Sequence, residues 1–340
     1  VGSSNRSITS DLSTQMDKNF NAIEFLKDTA KVTINNMGDS INTEYPDYSP
    51  VISSDQTILI FTSRRPGSTG GDKTTSDEYY DDIYYSTKTP DGKWSKARSV
   101  GSPINTINSE TNLSLSADGQ QLFISRESNG GDIFCSTLEL TGWSETVPVD
   151  AANSSAWETH ASLSPDGRTL FFVSDRKEGS LGGRDIWRCV MLPNGKWSLP
   201  INLGPTINTA QDEDAPFMHS DGTTLFFSSK GHKNMGGFDI FKSTKLEDNK
   251  WTEPENLKPP INTPDDDLFF MQSSDGKKGY FSSARAGGKG SQDIYEVIFV
   301  SSYVEPLTVV TGYITFNGTK KIPANVRISA IDAETNAVIQ

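Results

Sequence analysis

The chain is built from five related segments, and this internal repetition limits its possible folds more than any other feature. Each segment has a tight turn around an aspartate, followed four residues later by an apolar triplet such as Leu170-Phe171-Phe172. The turn aspartates, which lie 63, 48, 55 and 54 residues apart, are Asp55, Asp118, Asp166, Asp221 and Asp275. This period is too long for a coiled coil and fits one four-stranded sheet per segment.

The third segment shows the expected strand order most clearly. Residues 158–163 predict an inner strand, and Ser164-Pro165-Asp166-Gly167 predicts a type I turn, in which proline presets φ. A second strand over 168–174 is apolar at consecutive positions, as expected for a strand covered on both faces. Asp185-Ile186-Trp187 then predicts a third strand, and Lys196-Trp197-Ser198 begins an outer one.

The other segments repeat these outer features. The Asp-Ile-aromatic triplet recurs at Asp82, Asp132, Asp239 and Asp293. A tryptophan opens the outer strand at Trp94, Trp143, Trp197 and Trp251. Ten residues after three of these tryptophans an Ile-Asn-Thr triplet leads into the next inner strand, at Ile104, Ile207 and Ile261. The pattern predicts an all-β, five-bladed β-propeller, with six blades as the alternative if residues outside the pattern form another sheet.

The two ends of the repeat predict how the ring closes. The fifth segment has no outer strand after Ile298, whereas residues 31–35 form a strand pattern without a segment of their own. We therefore expect the N-terminal strand to complete the last blade, which hides otherwise unpaired sheet edges.

These ends also predict the domain boundaries, with the propeller at 31–299 and a helix and linker at 1–30. The helix carries one apolar stripe and should end near Ala30. The stripe consists of Leu12, Met16, Phe20, Ile23 and Leu26. Residues 300–340 contain alternating patterns typical of the start of a β-sandwich. Because the chain begins at Val1 and stops at Gln340 inside that pattern, we expect a fragment of a longer protein.

Charge and composition exclude several classes of function. The net charge is −13, which is unfavourable for a nucleic-acid groove or a basic membrane surface. No run of apolar residues is long enough for a transmembrane segment, and no signal peptide is visible. The two cysteines, Cys135 and Cys189, lie in apolar strand patterns and are interpreted as buried hydrophobic residues.

One carboxylate precedes each turn aspartate by eight residues, at the start of the inner strand. These five residues are Asp47, Glu110, Glu158, Glu213 and Asp267. Equivalent positions in a closed ring share one radius and height, so we expect a carboxylate ring at one mouth of the channel. The ring could hold a cation, or supply the carboxylate pair of a glycoside hydrolase. Catalysis needs an acid and a base with different pKa values, so a feature present in all five repeats favours a structural role.

Departures from the repeat are better candidates for function. An insertion in the first segment, residues 66–80, contains Asp77, Glu78, Tyr79 and Tyr80, and paired tyrosines beside acids suit protein recognition. A long hairpin loop without function is the alternative. His160 shares strand parity with Glu158 and is expected to face the channel. Nothing in the chain resembles a nucleophile with its base, and we predict no catalytic residue, no metal and no cofactor.

The repeat resembles a known family. Ser164-Pro165-Asp166-Gly167 with the following triplet and the later Asp185-Ile186-Trp187 resembles TolB-like propeller repeats. Residues 31–47, followed by Phe61-Thr62-Ser63-Arg64-Arg65, are similar to the propeller of multidomain OmpA-family lipoproteins of Bacteroidetes, the PorE-like proteins of type IX secretion. The similarity covers about 31–299, and the tail from Val309 is similar to the start of a carboxypeptidase-regulatory-like domain.

The resemblance implies a periplasmic protein tethered to the outer membrane, with tetratricopeptide helices before the propeller and a peptidoglycan-binding domain after it. We therefore expect a non-catalytic scaffold that binds other envelope proteins, with peptidoglycan contacted only through a domain absent from this chain. The alternative is a carbohydrate-binding or glycan-cleaving propeller that uses the carboxylate ring. Such a site would place Trp or Tyr at the channel mouth among unequal carboxylates.

Overall fold

The computed structural model describes residues 2–71, 73–74, 77–127 and 130–300. These residues form five antiparallel sheets and one N-terminal helix. The chain is a five-bladed β-propeller. The predicted fold class is therefore confirmed, and the described residues supply no sheet for a sixth blade.

Each blade begins with the predicted inner strand and continues outward. Helix α1 (Gly2–Phe25) and strand β1 (Val32–Asn36) precede the first blade. The first blade contains β2 (Asp47–Ile52), β3 (Ile58–Ser63), β4 (Asp82–Thr87) and β5 (Arg98–Ser99). The second contains β6 (Glu110–Leu115), β7 (Gln121–Arg126), β8 (Asp132–Glu139), β9 (Gly142–Trp143) and β10 (Val147–Pro148).

The remaining three blades follow the same order. The third contains β11 (Glu158–Leu163), β12 (Thr169–Ser174), β13 (Asp185–Val190) and β14 (Ile201–Asn202). The fourth contains β15 (Glu213–Met218), β16 (Thr224–Ser229), β17 (Asp239–Thr244), a 3₁₀ turn (Glu247–Asn249) and β18 (Glu255–Asn256). The fifth contains β19 (Asp267–Gln272), β20 (Lys278–Ser283) and β21 (Asp293–Phe299).

The N-terminal strand closes the ring. Strand β1 pairs antiparallel with β21, with Val32 opposite Phe299 and Asn36 opposite Tyr295. The fifth blade thus obtains its fourth strand from the start of the chain, as the sequence predicted. Closure covers the edge of β21 and joins the two ends of the propeller.

The core lies between neighbouring blades. The second strand of each blade is buried on both faces, because each sheet is covered by a blade on either side, and this explains the consecutive apolar residues. The aromatic or aliphatic side chains that fill the junctions include Phe61, Leu122, Phe172, Phe227 and Phe281. Burial of each such side chain contributes about 1.5–3 kcal/mol.

Helix α1 packs on the propeller with an unexpected face. Lys18 donates to the carbonyl oxygen of Gly236 at 2.7 Å, Asn21 donates to that of Asn234 at 2.9 Å, and Phe25 is buried. The helix ends at Phe25, earlier than predicted. The apolar stripe of Leu12, Met16, Phe20, Ile23 and Leu26 is 57–64 % exposed.

The C-terminal segment predicted to begin a β-sandwich lies outside the described residues, apart from Val300. Within the described ranges, no helix combines the length and apolar character needed to cross a membrane.

Candidate functional site

The five repeated carboxylates lie in the junctions between blades and have no exposed surface. Each accepts hydrogen bonds from a hydroxyl residue four positions earlier in the chain. In the fourth blade, Glu213 accepts from the backbone N–H and the hydroxyl of Thr209, both at 2.7 Å. The equivalent donors in the other blades are Thr43, Thr106, Ser154 and Thr263.

The Ile-Asn-Thr triplet explains this arrangement. In the first junction, the Asn105 side chain bonds both the N–H and the carbonyl oxygen of Ile83, while Thr106 bonds Glu110 of the next blade. The triplet thus anchors one blade through its asparagine and the following blade through its threonine. The carboxylate accepts the hydrogen bonds that the threonine of the triplet donates.

An arginine completes four of the five carboxylate sites. Arg176 bonds Glu158 at 3.1 Å and also donates to the carbonyl oxygen of Ala152 at 2.6 Å. The other three arginine–carboxylate pairs are Arg65–Asp47, Arg126–Glu110 and Arg285–Asp267. Each of these arginines also contacts an aromatic ring of its own blade. All hydrogen-bonding capacity of these carboxylates is directed at protein groups inside the junction.

The positions that face the channel are those immediately after the carboxylates, because successive side chains of a strand point in opposite directions. They line a funnel with a volume of about 870 Å³. Its five equivalent wall residues are Tyr48, Thr111, Thr159, Asp214 and Leu268. These five positions carry a phenol, two threonine hydroxyls, a carboxylate and an aliphatic side chain, so the repeat symmetry that holds inside the junctions is lost at the funnel surface.

One side of the funnel contains a compact charged cluster. Asp214 is buried between His160, which contacts its Oδ1, and Arg184, whose Nη1 lies 2.5 Å from its Oδ2. Burial alone would raise the pKa of the Asp214 carboxyl, but His160 and Arg184 outweigh burial and lower that pKa below its ordinary value. Asp214 is therefore an anion that holds the side chains of His160 and Arg184 in place.

The opposite side, from the first blade, holds a second cluster. Asp81 accepts from the Tyr48 hydroxyl and from Nε of Arg64, both at 2.8 Å, and Arg64 also pairs with Glu78 at 2.8 Å. Burial, assisted by Asp81, raises the pKa of the Tyr48 phenol well above its usual value. Tyr48 therefore remains a hydrogen-bond donor across the physiological pH range.

Aromatic rings and strand bulges form the floor of the funnel. His160 lies 4.9 Å from the Phe269 ring centroid, and both residues have left-handed backbone angles, with φ of 44° and 58°. These angles occur where the inner strands bulge. A second cavity of about 90 Å³ opens beyond them on the side of the turns. His160 and Phe269 line both cavities and form the constriction between them.

The insertion of the first blade reaches the rim of the funnel. Glu78 lines the funnel, and Asp77 is exposed and pairs with Lys73. Tyr79 and Tyr80 are half-buried, because Tyr79 packs edge-on against Tyr45 at 5.5 Å and Tyr80 lies against Gly70. The tyrosines therefore hold the loop in place, and among its described residues the exposed charged ones are Lys73, Asp77 and Glu78.

Metal binding is not supported by the donor geometry. Asp212, Glu213 and Asp214 point in three directions, toward Arg184 and Lys230, into the blade junction, and into the funnel, respectively. Across the described parts of the chain, no group of three or more His, Cys, Asp or Glu side chains converges as a metal site would require.

The sequence identified His160 but missed the residues around it. Asp214, Arg184, Asp81, Arg64 and Tyr48 belong to no recognisable sequence motif. The residue after each repeated carboxylate varies, but so do the residues on either side of it, and only the carboxylate recurs in all five segments. The funnel wall therefore could not be told apart from its neighbours by sequence variation alone.

Comparisons with known proteins show the fold. No family model and no curated protein matches the sequence. A β-xylosidase/α-arabinofuranosidase from a compost metagenome has a TM-score of 0.50 at 9 % identity, covering 84 % of this chain and all of that one. TolB from Agrobacterium tumefaciens has a TM-score of 0.46 at 19 % identity, and the match covers 75 % of this chain and 78 % of that protein. TolB from Acinetobacter baumannii has a TM-score of 0.43 at 16 % identity, and the match covers 75 % of this chain and 54 % of that protein. The chain thus spans about half the length of the Acinetobacter protein.

Proposed function

We propose that the protein is a non-catalytic interaction scaffold that binds a partner protein at its funnel. The observation that carries this proposal is the loss of repeat symmetry at the funnel wall. The junction carboxylate recurs in every blade because every junction needs it, whereas Asp214, His160 and Arg184 form a cluster that the described residues of the other junctions do not repeat. A rigid, wide and chemically distinct concave surface is typical of binding sites.

Catalysis is a weaker explanation of the same surface. The buried carboxyl groups whose pKa is raised are Asp82, Glu110, Glu213, Asp239 and Asp267. All of them have little or no exposed surface and lie in the blade junctions. Asp214, which does line the funnel, has its pKa shifted in the opposite direction. A general acid near neutral pH needs a raised pKa at a position that substrate can reach.

The setting of the scaffold is proposed from the sequence resemblance. PorE-like, OmpA-family lipoproteins belong to periplasmic assemblies at the outer membrane, and residues 31–299 are similar to their propeller. We place this chain in such an envelope assembly, associated with type IX secretion. Contact with peptidoglycan would then be made by a separate domain, and the acidic insertion that contains Glu78 would take part in binding at the funnel rim.

Photo-cross-linking in the native full-length protein tests the scaffold role. A photoreactive residue replaces Ser291, which is exposed on the funnel wall, and the matched control replaces Lys196, which is exposed on the outer edge of the third blade. We expect a defined envelope protein to be cross-linked from Ser291 and not from Lys196, as identified by mass spectrometry. Absence of a specific adduct from the funnel, with efficient labelling of lysate proteins at both positions, would contradict the proposal.

A carbohydrate-binding propeller is the second candidate, and one observation favours it. Trp157 and Tyr48 line the funnel beside the unequal carboxylates Asp81 and Asp214, which is the combination expected for a sugar site. The Trp157 ring is partly occupied, because the Arg184 guanidinium lies 5.3 Å from its centroid. Incubation with xylo-oligosaccharides and peptidoglycan fragments distinguishes the two functions. Release of reducing sugar, or saturable sugar binding that is lost in Trp157→Ala, would favour this second candidate over the scaffold.

A further inference from the structure

The funnel has a strong surplus of negative charge. Six carboxylates and two arginines line it, which leaves four uncompensated negative charges when His160 is neutral. Both arginines are already paired, Arg64 with Asp81 and Glu78, and Arg184 with Asp214. Three of the four uncompensated charges therefore lie on the carboxylates nearest the rim, which are Glu127, Asp265 and Asp266. The fourth belongs to the pair Asp81 and Glu78, which share Arg64 alone.

These rim carboxylates are exposed and face the open cavity. Asp266 accepts a hydrogen bond from the backbone N–H of Phe238 at 2.8 Å, which fixes its position. Among the described residues, no salt bridge engages Glu127, Asp265 or Asp266. A concave surface of one charge, with low-dielectric walls, focuses its potential into the cavity and attracts oppositely charged ligands.

The walls already bind guanidinium groups of the chain itself. The Arg184 guanidinium lies 5.3 Å from the ring centroids of both Trp157 and Phe238 while it pairs with Asp214. Lys230 likewise places its ammonium group 4.4 Å from the Phe238 centroid. Aromatic faces flanked by carboxylates are the surroundings in which Lys and Arg side chains bind most favourably.

We propose that the funnel receives a positively charged polypeptide segment, with Lys or Arg side chains directed toward Glu127 and Asp265. This proposal rests on the scaffold function and specifies the chemistry of the partner. A volume of about 870 Å³ exceeds what a single side chain fills, so a short stretch of chain enters. The constriction of His160 and Phe269 sets the depth that the segment can reach.

Fluorescence anisotropy with labelled synthetic peptides tests the proposal. The probes are a decapeptide of alternating Gly and Lys, its Gly-Glu counterpart, and labelled spermidine as a small polycation. The funnel variant is Glu127→Gln with Asp265→Asn. The matched control is Glu145→Gln with Glu253→Gln, which removes the same two charges from exposed positions on the outside of the propeller.

We expect the Gly-Lys peptide to bind at low salt and the Gly-Glu peptide not to bind. The funnel variant should weaken Gly-Lys binding about threefold or more, as loss of two exposed ion pairs implies, whereas the control variant stays within about twofold of the parent. Affinity should fall as NaCl rises from about 0.05 to 0.5 M, because rim charges are screened.

Three results would overturn this inference. The first is an equal loss of affinity for the Gly-Lys peptide in the funnel variant and the control variant. The second is no binding of the Gly-Lys peptide, and the third is binding of spermidine with the same affinity as the Gly-Lys peptide. The first would mean nonspecific attraction by a chain of net charge −13, and the last would assign the funnel to small polycations. If a partner is cross-linked from Ser291 and its binding does not depend on the funnel charges, the scaffold function is supported. Only the proposal that the bound segment is basic is then contradicted.

Discussion

Arg176 bonds the buried carboxylate of Glu158 at 3.1 Å, and the fourth blade has no arginine in the equivalent place. There the chain has Gly231 and then His232, whose Nε2 lies 2.8 Å from the carbonyl oxygen of Ile207. His232 lies between the rings of Phe227 and Phe241, as Arg176 lies between Phe172 and Trp187. The histidine replaces the backbone contact of the arginine without neutralising Glu213.

The uncompensated Glu213 should make stability depend on pH. Burial raises the pKa of this carboxyl from 4.5 to about 7, although Ser229 and Thr209 donate hydrogen bonds to it. A raised folded-state pKa gives stability that is complete below the unfolded-state value and is lost as the pH rises through about 7. A shift of this size corresponds to about 3 kcal/mol of unfolding free energy at alkaline pH.

Glu213→Gln should therefore stabilise the protein at pH 8.5 by about 2–3 kcal/mol and leave its stability nearly unchanged at about pH 4, below the unfolded-state pKa of 4.5. Urea unfolding followed by tryptophan fluorescence at the two pH values measures the difference. Asp239, whose pKa is also raised to about 7, is present in both proteins and cancels from the comparison. Parallel pH profiles for variant and parent would show that Glu213 is not the titrating group.

Arg176→Gln should destabilise the protein, in contrast to Glu213→Gln. Removing the arginine leaves a carboxylate with no exposed surface and no cationic partner, which costs about 3–5 kcal/mol. The double variant with Glu158→Gln should recover part of that loss, because an amide is cheaper to bury than an unpaired charge. If the single and double variants unfold at the same urea concentration, the ion pair does not govern this junction.

The sequence predicted the strand order of the blades because the pattern repeats. Five copies of one carboxylate and one apolar strand, with an Ile-Asn-Thr triplet before four of the five carboxylates, define a unit whose symmetry can be read without coordinates. The carboxylates themselves were expected at one mouth of the channel, whereas the structure buries all five in the blade junctions. The closing strand was also predictable, since residues 31–35 had no segment of their own and the fifth blade lacked a strand.

The funnel and the helix were predicted less well, each for a physical reason. His160 and Arg184 come from the third blade and Asp214 from the fourth, and the three meet only when these two neighbouring blades pack together. The rule that an apolar stripe faces the core failed for α1, because the carbonyl oxygens of Gly236 and Asn234 select the face that carries Lys18 and Asn21. The sequence of a helix contains no signal for the backbone carbonyl groups of the surface on which the helix packs.

Two N-terminal deletions should distinguish the contribution of helix α1 from that of the closing strand β1. Deletion through residue 25 removes α1, whose described contacts are a few polar bonds and Phe25, and should leave a folded monomer. Deletion through residue 36 also removes β1 and exposes the full edge of β21, which favours association of chains through unpaired strands. Size-exclusion chromatography and circular dichroism should show a monomer for the first deletion and aggregation or unfolding for the second. Equal behaviour of the two proteins would mean that β1 does not close the ring in solution.

Asp214→Asn should destabilise the protein at neutral pH, whereas Glu213→Gln should stabilise it at alkaline pH. Because His160 and Arg184 lower the pKa of Asp214, this group contributes stability that is present above its unfolded value near 3.8 and is lost as the pH falls through the lower folded value. The parent should therefore exceed Asp214→Asn in stability at pH 7 by about 3 kcal/mol, as expected for breaking a buried ion pair, and the gap should narrow steadily below about pH 4. Thermal unfolding from pH 7 to pH 3, with Asp150→Asn on the exposed outer edge as the control, measures the gap. A gap that stays constant to pH 3 would show that the effect of the asparagine comes from packing, and that Asp214 does not act as the anion that fixes Arg184 and His160.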